Sequence, residues 1–336
     1  MPAVPKPAPD NPLYRVSLLT AAGTTYQLHG VTTSLSLSEP KGEIAQKATI
    51  KMTNVQDNGK WLTSIIKNRD RWFVHCDIGE GAFEVFRGFV SDFEYKSALV
   101  KEITLTAFDN LIYLQESEGS LFFPADRTTQ LVISEICQKW GIDIEYTYAS
   151  ITHPKLVLKG KIADIFLTDL LEEVRKQTGK KYEVRSEKDK IRIFEVGTNA
   201  TVYEVASKKN AIETNMKKTM SGMVTQVVIA GKEDDEGRIP IEETLSRNTD
   251  QYGTLQKIIN KAEGTDLSEV QKEANTTLDE NADPKETLSA VFADNPKVRR
   301  GDKVKVAAGN LVGHFLCIGI NRNCDSKTAT LDLEKM

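Results

Sequence analysis

Hydrophobic and polar residues alternate along the first third of the chain. In the segment RWFVHCDI, Trp72, Val74 and Cys76 fall on one face of an extended chain, and the residues between them fall on the other. Such alternation, with β-branched and aromatic residues, predicts half-buried β-strands. Glycine-containing turn sequences such as DNG and GEG separate the strands. We therefore predict a small β-barrel or sandwich at residues 13–110, with one short helix at residues 61–68.

The spacing of the apolar residues changes after this region. Val132 and Ile136 share one face of a predicted helix. Thr128 or Thr129 is the possible N-cap of this helix, and Gly141 is predicted to end it.

A second helix is predicted between Asp164 and Gly179, with an apolar stripe of phenylalanine, leucine and valine. It is followed by a predicted β-hairpin around the polar turn SEKDK. With a strand at residues 142–148, these elements predict a mixed α+β unit at residues 111–197.

Strands are predicted again beyond residue 200. The clearest lie at residues 223–230, 288–292, 302–306, 315–320 and 328–333. Residues 252–263 and 267–280 look helical. We therefore predict a second β domain at residues 198–336, with a helical insertion at about residues 252–283.

The first twelve residues, MPAVPKPAPDNP, carry alternating prolines and no apolar core. We expect residues 1–12 to form an extended arm rather than a signal peptide. The longest apolar run, at residues 311–320, is about half the ~20 residues that a membrane helix needs. We expect a soluble protein that is made in the cytoplasm and has no membrane anchor.

Composition narrows the classes of function. The chain of 336 residues is 40% hydrophobic and 27% charged, with a formal net charge of −4. A mildly acidic chain is not expected to grip nucleic acid through phosphate neutralisation, although DNA could pass through an assembly that it forms. No CxxC pair is present, and we expect the four cysteines to be buried free thiols: Cys76, Cys137, Cys317 and Cys324.

No group of residues in the sequence matches a catalytic, cofactor-binding or metal-binding motif. The histidines, His29, His75, His153 and His314, lie at no metal-binding spacing, and no phosphate-binding glycine loop is present. A peptidoglycan hydrolase would need two placed carboxylates or a Cys/His or Ser/His arrangement, and no motif marks one. We therefore predict no catalytic residue, no cofactor and no metal site, and the partner interface is not identified by the sequence.

The sharpest charge feature is the run KEDDEGRIPIEE at residues 232–243. It is interpreted as a solvated loop, with an acidic projection towards a partner or a tube lumen as the alternative. Calcium binding is a weaker interpretation of this run, because Asp234, Asp235 and Glu236 lack the alternating ligand spacing of an EF-hand loop.

Two long segments carry a resemblance to a known family. One is AFDNLIYLQESEGSLFFPADRTTQLVISEICQKWGI, at residues 107–142; the other closes the chain as VRRGDKVKV, LVGHFLCIGI and KTATLDLE, within residues 298–334. In order and spacing, both resemble the hub proteins at the base of contractile phage tails, the PBSX-type prophage tail proteins of the XkdQ/YqbQ family.

The resemblance implies a fold and a role. It implies a β-rich α+β fold, with two tail-tube-like β-barrel domains flanking the α+β unit. Such a hub adapts the sixfold tail tube to the threefold spike and has no active site. It further implies a homotrimer in the particle, in contact with the tail tube protein, the spike protein and other baseplate proteins. The protein would be made in the host cytoplasm and assembled into the tail or a tail-like particle.

Two other functions remain open at this stage. One is an adhesion module built from β-domains, and the other is a cell-wall (peptidoglycan) hydrolase of a tail tip. A glycan-binding screen would distinguish the first, and zymography on peptidoglycan would distinguish the second.

Overall fold

The computed structural model describes residues 12–97, 101–147, 150–232, 237–262 and 264–336. The predicted arm at residues 1–12, apart from Pro12, lies outside these ranges. So do the acidic residues 233–236 of the charged run.

The first region is built from short and long strands, as its alternation predicts. Trp72, Val74 and Cys76 are fully buried on one face of their strand. The elements are β1 (Leu13–Leu19), β2 (Thr25–Gln27), β3 (Thr32–Glu39), β4 (Lys47–Thr53), β5 (Gln56–Asp57), β6 (Lys60–Trp61), α1 (Leu62–Ile65), β7 (Arg71–Asp77), β8 (Ala82–Ser97) and β9 (Lys101–Phe108).

The middle region contains both helices and strands. The elements are α2 (Ile112–Gln115), β10 (Glu118–Phe123), β11 (Arg127–Thr128), α3 (Thr129–Lys139), β12 (Ile144–Thr147), β13 (Thr152–His153), β14 (Leu156–Lys161), α4 (Ile162–Asp164), a π-helical segment (Ile165–Leu171), α5 (Glu172–Thr178), β15 (Tyr182–Glu187) and β16 (Lys190–Glu195).

The end signals in this middle region are confirmed. The Thr128 hydroxyl caps α3 by accepting a hydrogen bond from the backbone N–H of Leu131 at 3.3 Å. Gly179 ends α5 in the left-handed conformation, with φ of 72°. β15 and β16 form the predicted hairpin, and β12 runs parallel to β16.

The last region returns to strands. The elements are β17 (Tyr203–Ala206), β18 (Ala211–Thr219), β19 (Gln226–Ala230), β20 (Ile241–Ser246), α6 (Thr249–Tyr252), β21 (Gln256–Asn260), α7 (Leu267–Asn281), β22 (Lys285–Ala293), β23 (Lys303–Ala308), β24 (Leu311–Asn323) and β25 (Thr328–Lys335).

One helix prediction is wrong. Residues 252–263 were expected to be helical, but α6 ends at Gly253, which has φ of 77°. β21 then pairs in parallel with β19, and Ile259 is buried in the core beneath α7. The β-branched Ile258 and Ile259 favour this extended conformation, and pairing with β19 outweighs the helix-like spacing. The helix at residues 267–280 is confirmed as α7.

The chain divides into two compact units. The first comprises the described residues of Met1–Thr214 and Ser289–Met336, and the second is Asn215–Leu288. In the second unit, β20, β19 and β21 form a three-stranded sheet, and α7 packs on it through Val270, Ala274 and Leu278.

A single curved path of strand pairing links the beginning and the end of the chain. The sheet has 13 strands in the order β18-β22-β25-β24-β3-β4-β9-β8-β7-β1-β2, with β23 also on β24 and β17 on β23. The link between the first and last regions is the antiparallel pair β3–β24, from Ile320↔Glu39 to Asn323↔Ser36. The β-rich α+β fold class is confirmed.

Candidate functional site: buried arginines where three regions of the chain meet

The segment VRRGDKV, which leads into β23, forms a turn that buries Arg300 in the interior of the first unit and half-buries the adjacent Arg299. The Asp302 carboxylate accepts a hydrogen bond from the backbone N–H of Arg299 at 2.9 Å, which closes the turn. Together with charged residues from elsewhere in the unit, it forms a group that we call the junction cluster. Its members are Glu39, Arg185, Asp294, Arg299, Arg300, Asp302 and Arg322.

Arg300 connects all three regions by itself. Its guanidinium donates to the carbonyl oxygens of Pro40, Glu43 and Ile44 in the loop between β3 and β4. It also donates to the carbonyl oxygen of Val184 on β15, at 3.0 Å. Because a guanidinium is a planar fork with five N–H donors, one arginine can satisfy several buried carbonyl groups at once.

Arg322 lies on β24 and pairs with Asp294, which follows β22. The Arg322 guanidinium contacts the Asp294 carboxylate and also donates to the carbonyl oxygens of Asn295, at 2.9 Å, and Val298. The Tyr14 hydroxyl of β1 donates to the other carboxylate oxygen of Asp294. This buried pair therefore joins the first strand of the chain to its last region.

Two further ion pairs complete the junction cluster. Arg299 Nε donates to Glu39 Oε1 at 2.5 Å, and Arg185 Nη1 lies 3.4 Å from Asp302 Oδ1. Burial would raise the pKa of Glu39, but the positive charges of Arg299, Arg300 and Arg322 together outweigh burial and hold that pKa below its usual value. The pair is therefore ionised, which is what a buried pair requires to offset its desolvation.

Gly301 is required by the geometry of this turn. Its φ is +87°, and a Cβ atom at this position would lie 2.8 Å from Cζ of Phe194. The Phe194 ring in turn stacks on the Arg185 guanidinium, with 4.1 Å between the Arg185 Cζ atom and the ring centroid. A side chain at position 301 would therefore displace the ring that supports Arg185.

The tip of the β15–β16 hairpin is held by the first region. Lys188 and Asp189 have φ of 52° and 68°, as a tight two-residue hairpin turn requires. The Asp189 carboxylate contacts Arg71 and lies 3.0 Å from Arg87 Nη1, while Asn110 donates to the Asp189 carbonyl oxygen at 2.6 Å. The polar turn predicted from the sequence is therefore a docking contact within the first unit.

Asp109 is a buried acid of the first unit, 2% exposed, outside the junction cluster. It borders a cavity of about 960 Å³ that is also lined by His75, Glu84, Arg87 and Glu187. Burial raises the pKa of the Asp109 carboxyl to about 7. Both of its oxygens are already used, because they accept hydrogen bonds from the backbone N–H groups of Gln46 and Leu111 at 3.1 and 3.0 Å. Asp109 therefore fixes the end of β9 to the loop before β4.

The structure does not bring the histidines and cysteines together into a site. His75 and Cys76 lie on opposite faces of β7, and His153 is buried against the Thr129 hydroxyl at 2.8 Å. Across the described parts of the chain, no group of three or more His, Cys, Asp or Glu side chains is placed to hold a metal ion. All four cysteines are buried and free, as expected, and burial raises the pKa of Cys76 and Cys137 to about 12.

The RRGD segment contributes only to the family resemblance in the sequence, and its burial was not predicted. The sequence did contain one signal for the burial of Arg322. This residue lies two positions from both Ile320 and Cys324, so in an extended chain it shares a face with these buried residues. Its partner, Asp294, could not be identified without the fold.

None of the described helices combines the length and the apolar character that crossing a membrane requires.

Solved structures share this fold over nearly the whole chain. A tail protein from Neisseria meningitidis MC58 superposes with a TM-score of 0.65 at 13% identity, covering 96% of each chain. The 43 kDa tail protein of prophage MuSo2 from Shewanella oneidensis gives 0.63 at 14% identity, covering 96% of this chain and 98% of that one. The prophage tail protein gp18 from Listeria monocytogenes EGD-e gives 0.52 at 11% identity, covering 95% and 94%.

The search of curated proteins gives no match to the chain. A family model described as YQBQ-like matches residues 74–334, which span the middle region, the second unit and the whole RRGD turn. This match covers most of the sequence and agrees with the resemblance noted from its motifs. The chain belongs to the YQBQ-like family.

Proposed function

We propose that this protein is a structural hub in the baseplate of a contractile phage tail or tail-like particle, where three copies adapt the sixfold tail tube to the threefold spike. The proposal includes contacts with the tail tube protein, the spike protein and other baseplate proteins. It also includes synthesis in the host cytoplasm before assembly into the particle, and no enzymatic role.

The observation that carries the proposal is the shared fold. Proteins described as tail proteins superpose on 96% of this chain. The E. coli c3393 protein, described as a component of the type VI secretion system with structural similarity to the T4 tail proteins gp27 and gp5, superposes on 91% of it with a TM-score of 0.52. Since all these matches have low identity, they support the role through architecture alone.

The contacts within the first unit support a structural role. The β3–β24 pairing and the junction cluster connect the beginning, middle and end of the chain into one body. A hub between two particle parts has to transmit force without changing shape, and buried ion pairs and hydrogen bonds that join distant segments resist rearrangement. The formal net charge of −4 also suits a channel that conducts DNA without holding it.

The experiment is a deletion of the gene in a strain that produces the particles, followed by electron microscopy of induced lysates. We expect tails without a baseplate, or no assembled tails, and normal particles when the wild-type gene is supplied in trans. Normal, infective or bactericidal particles from the deletion strain would contradict the hub role.

Zymography on peptidoglycan with the purified full-length protein tests the hydrolase alternative. We expect no clearing. A clearing zone that disappears after one carboxylate substitution would contradict the non-enzymatic role.

A further inference from the structure

The outer face of the small β10–β14 sheet carries an apolar pair that none of the described residues of the first unit covers. The two strands are antiparallel, and Phe122 lies directly opposite Val157. These side chains are 64% and 71% exposed, while Phe123 and Leu158 on the other face are buried in the core. Contiguous exposed apolar side chains are a feature of interaction surfaces.

The same sheet offers free main-chain groups. In the part of the chain that the structure describes, β10 pairs only with β14, and β14 pairs only with β10. Each strand therefore has one edge whose N–H and C=O groups have no strand partner. Such an edge can accept an extended segment of another protein.

Two lysines flank Val157, one on each side along the chain. Lys155 and Lys159 lie two residues before and after Val157 and are exposed. Within the described ranges neither ammonium group has an ion-pair partner. The residue opposite Lys159 is the uncharged Ser120, whereas the next lysine, Lys161, lies opposite Glu118.

The positive charge of Lys155 and Lys159 indicates what kind of strand could pair with this sheet edge. A second copy of this strand would place lysine next to lysine, and like charges across a strand pair are destabilising. Edge lysines alone would only prevent self-pairing, but here they frame an exposed apolar pair that remains available. An acidic strand would match both features.

We propose that Phe122, Val157, Lys155 and Lys159 form a docking strip for an extended acidic segment of a partner protein. The segment adds to a free edge of the β10–β14 sheet. Its carboxylates meet Lys155 and Lys159, and one of its apolar side chains covers Phe122 and Val157. The inference goes beyond the hub role and does not depend on it.

The test uses the full-length protein and a fluorescent synthetic peptide with alternating residues, Glu-Val-Glu-Phe-Glu-Val-Glu. A matched peptide with lysine in place of glutamate is the charge control. Fluorescence polarisation should show binding of the acidic peptide that weakens as salt is added, and no binding of the lysine peptide. The double substitution Lys155→Glu with Lys159→Glu should weaken acidic-peptide binding at least about tenfold, a change of about 1.4 kcal/mol. The same double variant should bind the lysine peptide.

Matched surface substitutions separate the strip from general charge and apolar effects. Val157→Ser should weaken binding at least about fivefold and leave its salt dependence in place. Val312→Ser, at a residue that is 77% exposed on β24, should leave binding unchanged. Lys257→Glu, at an exposed residue of β21, should also leave it unchanged. Thermal unfolding of each variant confirms that the fold is retained.

Three results would overturn the proposal. The first is no binding of the acidic peptide by the wild type, and the second is an equal loss of binding in Lys257→Glu. The third is displacement of the peptide by a single-stranded oligonucleotide whose own binding disappears in the Lys155→Glu, Lys159→Glu variant. That outcome would assign the strip to nucleic acid, which an aromatic ring beside lysines can also bind.

Discussion

Arg322 and Asp294 form an ion pair in the interior of the first unit, where their side chains are 2% and 0% exposed. Both partners have further contacts, because Arg322 donates to two backbone carbonyl groups and Asp294 accepts from the Tyr14 hydroxyl. Such a pair is costly to desolvate, and its value lies in fixing which segments of the chain meet.

Removing one partner of this pair should destabilise the protein strongly. Arg322→Met leaves the Asp294 carboxylate buried without its counter-charge, and we expect a loss of about 3–5 kcal/mol in the free energy of unfolding. Urea denaturation followed by tryptophan fluorescence measures this. Arg175→Met is the matched control, because its ion pair with Glu172 is largely exposed and should contribute less than about 1 kcal/mol.

The double variant Arg322→Met with Asp294→Leu should recover much of the loss, since it leaves no unpaired charge. If Arg322→Met unfolds within about 1 kcal/mol of the wild type, the pair is not the buried connection described here.

Gly301→Ala should be more harmful than a glycine substitution at an open left-handed site. Position 301 combines a φ of +87° with a Cβ clash against Phe194, whereas position 179 has φ of +72° and nothing within 4 Å. The backbone term alone costs about 1–2 kcal/mol, so Gly179→Ala should lose that amount and Gly301→Ala clearly more. Adding Phe194→Leu to both glycine variants should narrow the difference between their losses of stability. Calorimetric melting of the variants measures these losses. Equal losses for Gly301→Ala and Gly179→Ala would contradict the clash with Phe194.

Asp109 should make stability depend on pH. Its folded-state pKa of about 7 lies above the value of about 3.9 in an unfolded chain. The stabilisation from its bound proton is therefore complete below about pH 4 and is lost as the pH rises through about 7. Asp109→Asn removes this dependence.

Urea titrations of the wild type and Asp109→Asn would measure this effect. The free energy of unfolding of the wild type, relative to that of Asp109→Asn, should fall by about 1–3 kcal/mol between about pH 5 and pH 8. Asp143→Asn, at an exposed position, is the matched control variant. A constant difference for Asp109→Asn would mean that Asp109 is ionised throughout this range.

The predictions from sequence succeeded where the signals are local. The cap at Thr128, the stop at Gly179 and the SEKDK turn depend on neighbouring residues, and each lies where it was predicted. The helix predicted at residues 252–263 was wrong because parallel pairing with β19, about thirty residues earlier, determines that conformation.

The junction cluster could not be predicted for the same reason. Arg300 contacts the loop at residues 40–44 and Val184, which are far from it in sequence. Arginine is usually exposed, so two neighbouring arginines near a turn predict a solvated surface by default. Only the pairing of β3 with β24 brings their partners within reach.

The boundaries at residues 110 and 197, and the superposition of the two β domains, stay predictions. Superposition of residues 13–110 on residues 198–336 within the assembled particle would test them. We expect the two β domains to share one strand order, and unrelated strand orders would contradict their kinship.

The central claim is that three copies of this chain adapt a sixfold tube to a threefold spike. Electron cryo-microscopy of intact particles, with the tail tip reconstructed without imposed symmetry, tests it most directly. We predict three copies whose β domains alternate in a pseudo-sixfold ring, between the tube and the spike, around a lumen that is not lined mainly by lysine and arginine. Six equivalent copies, or a lumen lined mostly by lysine and arginine of this chain, would contradict the account.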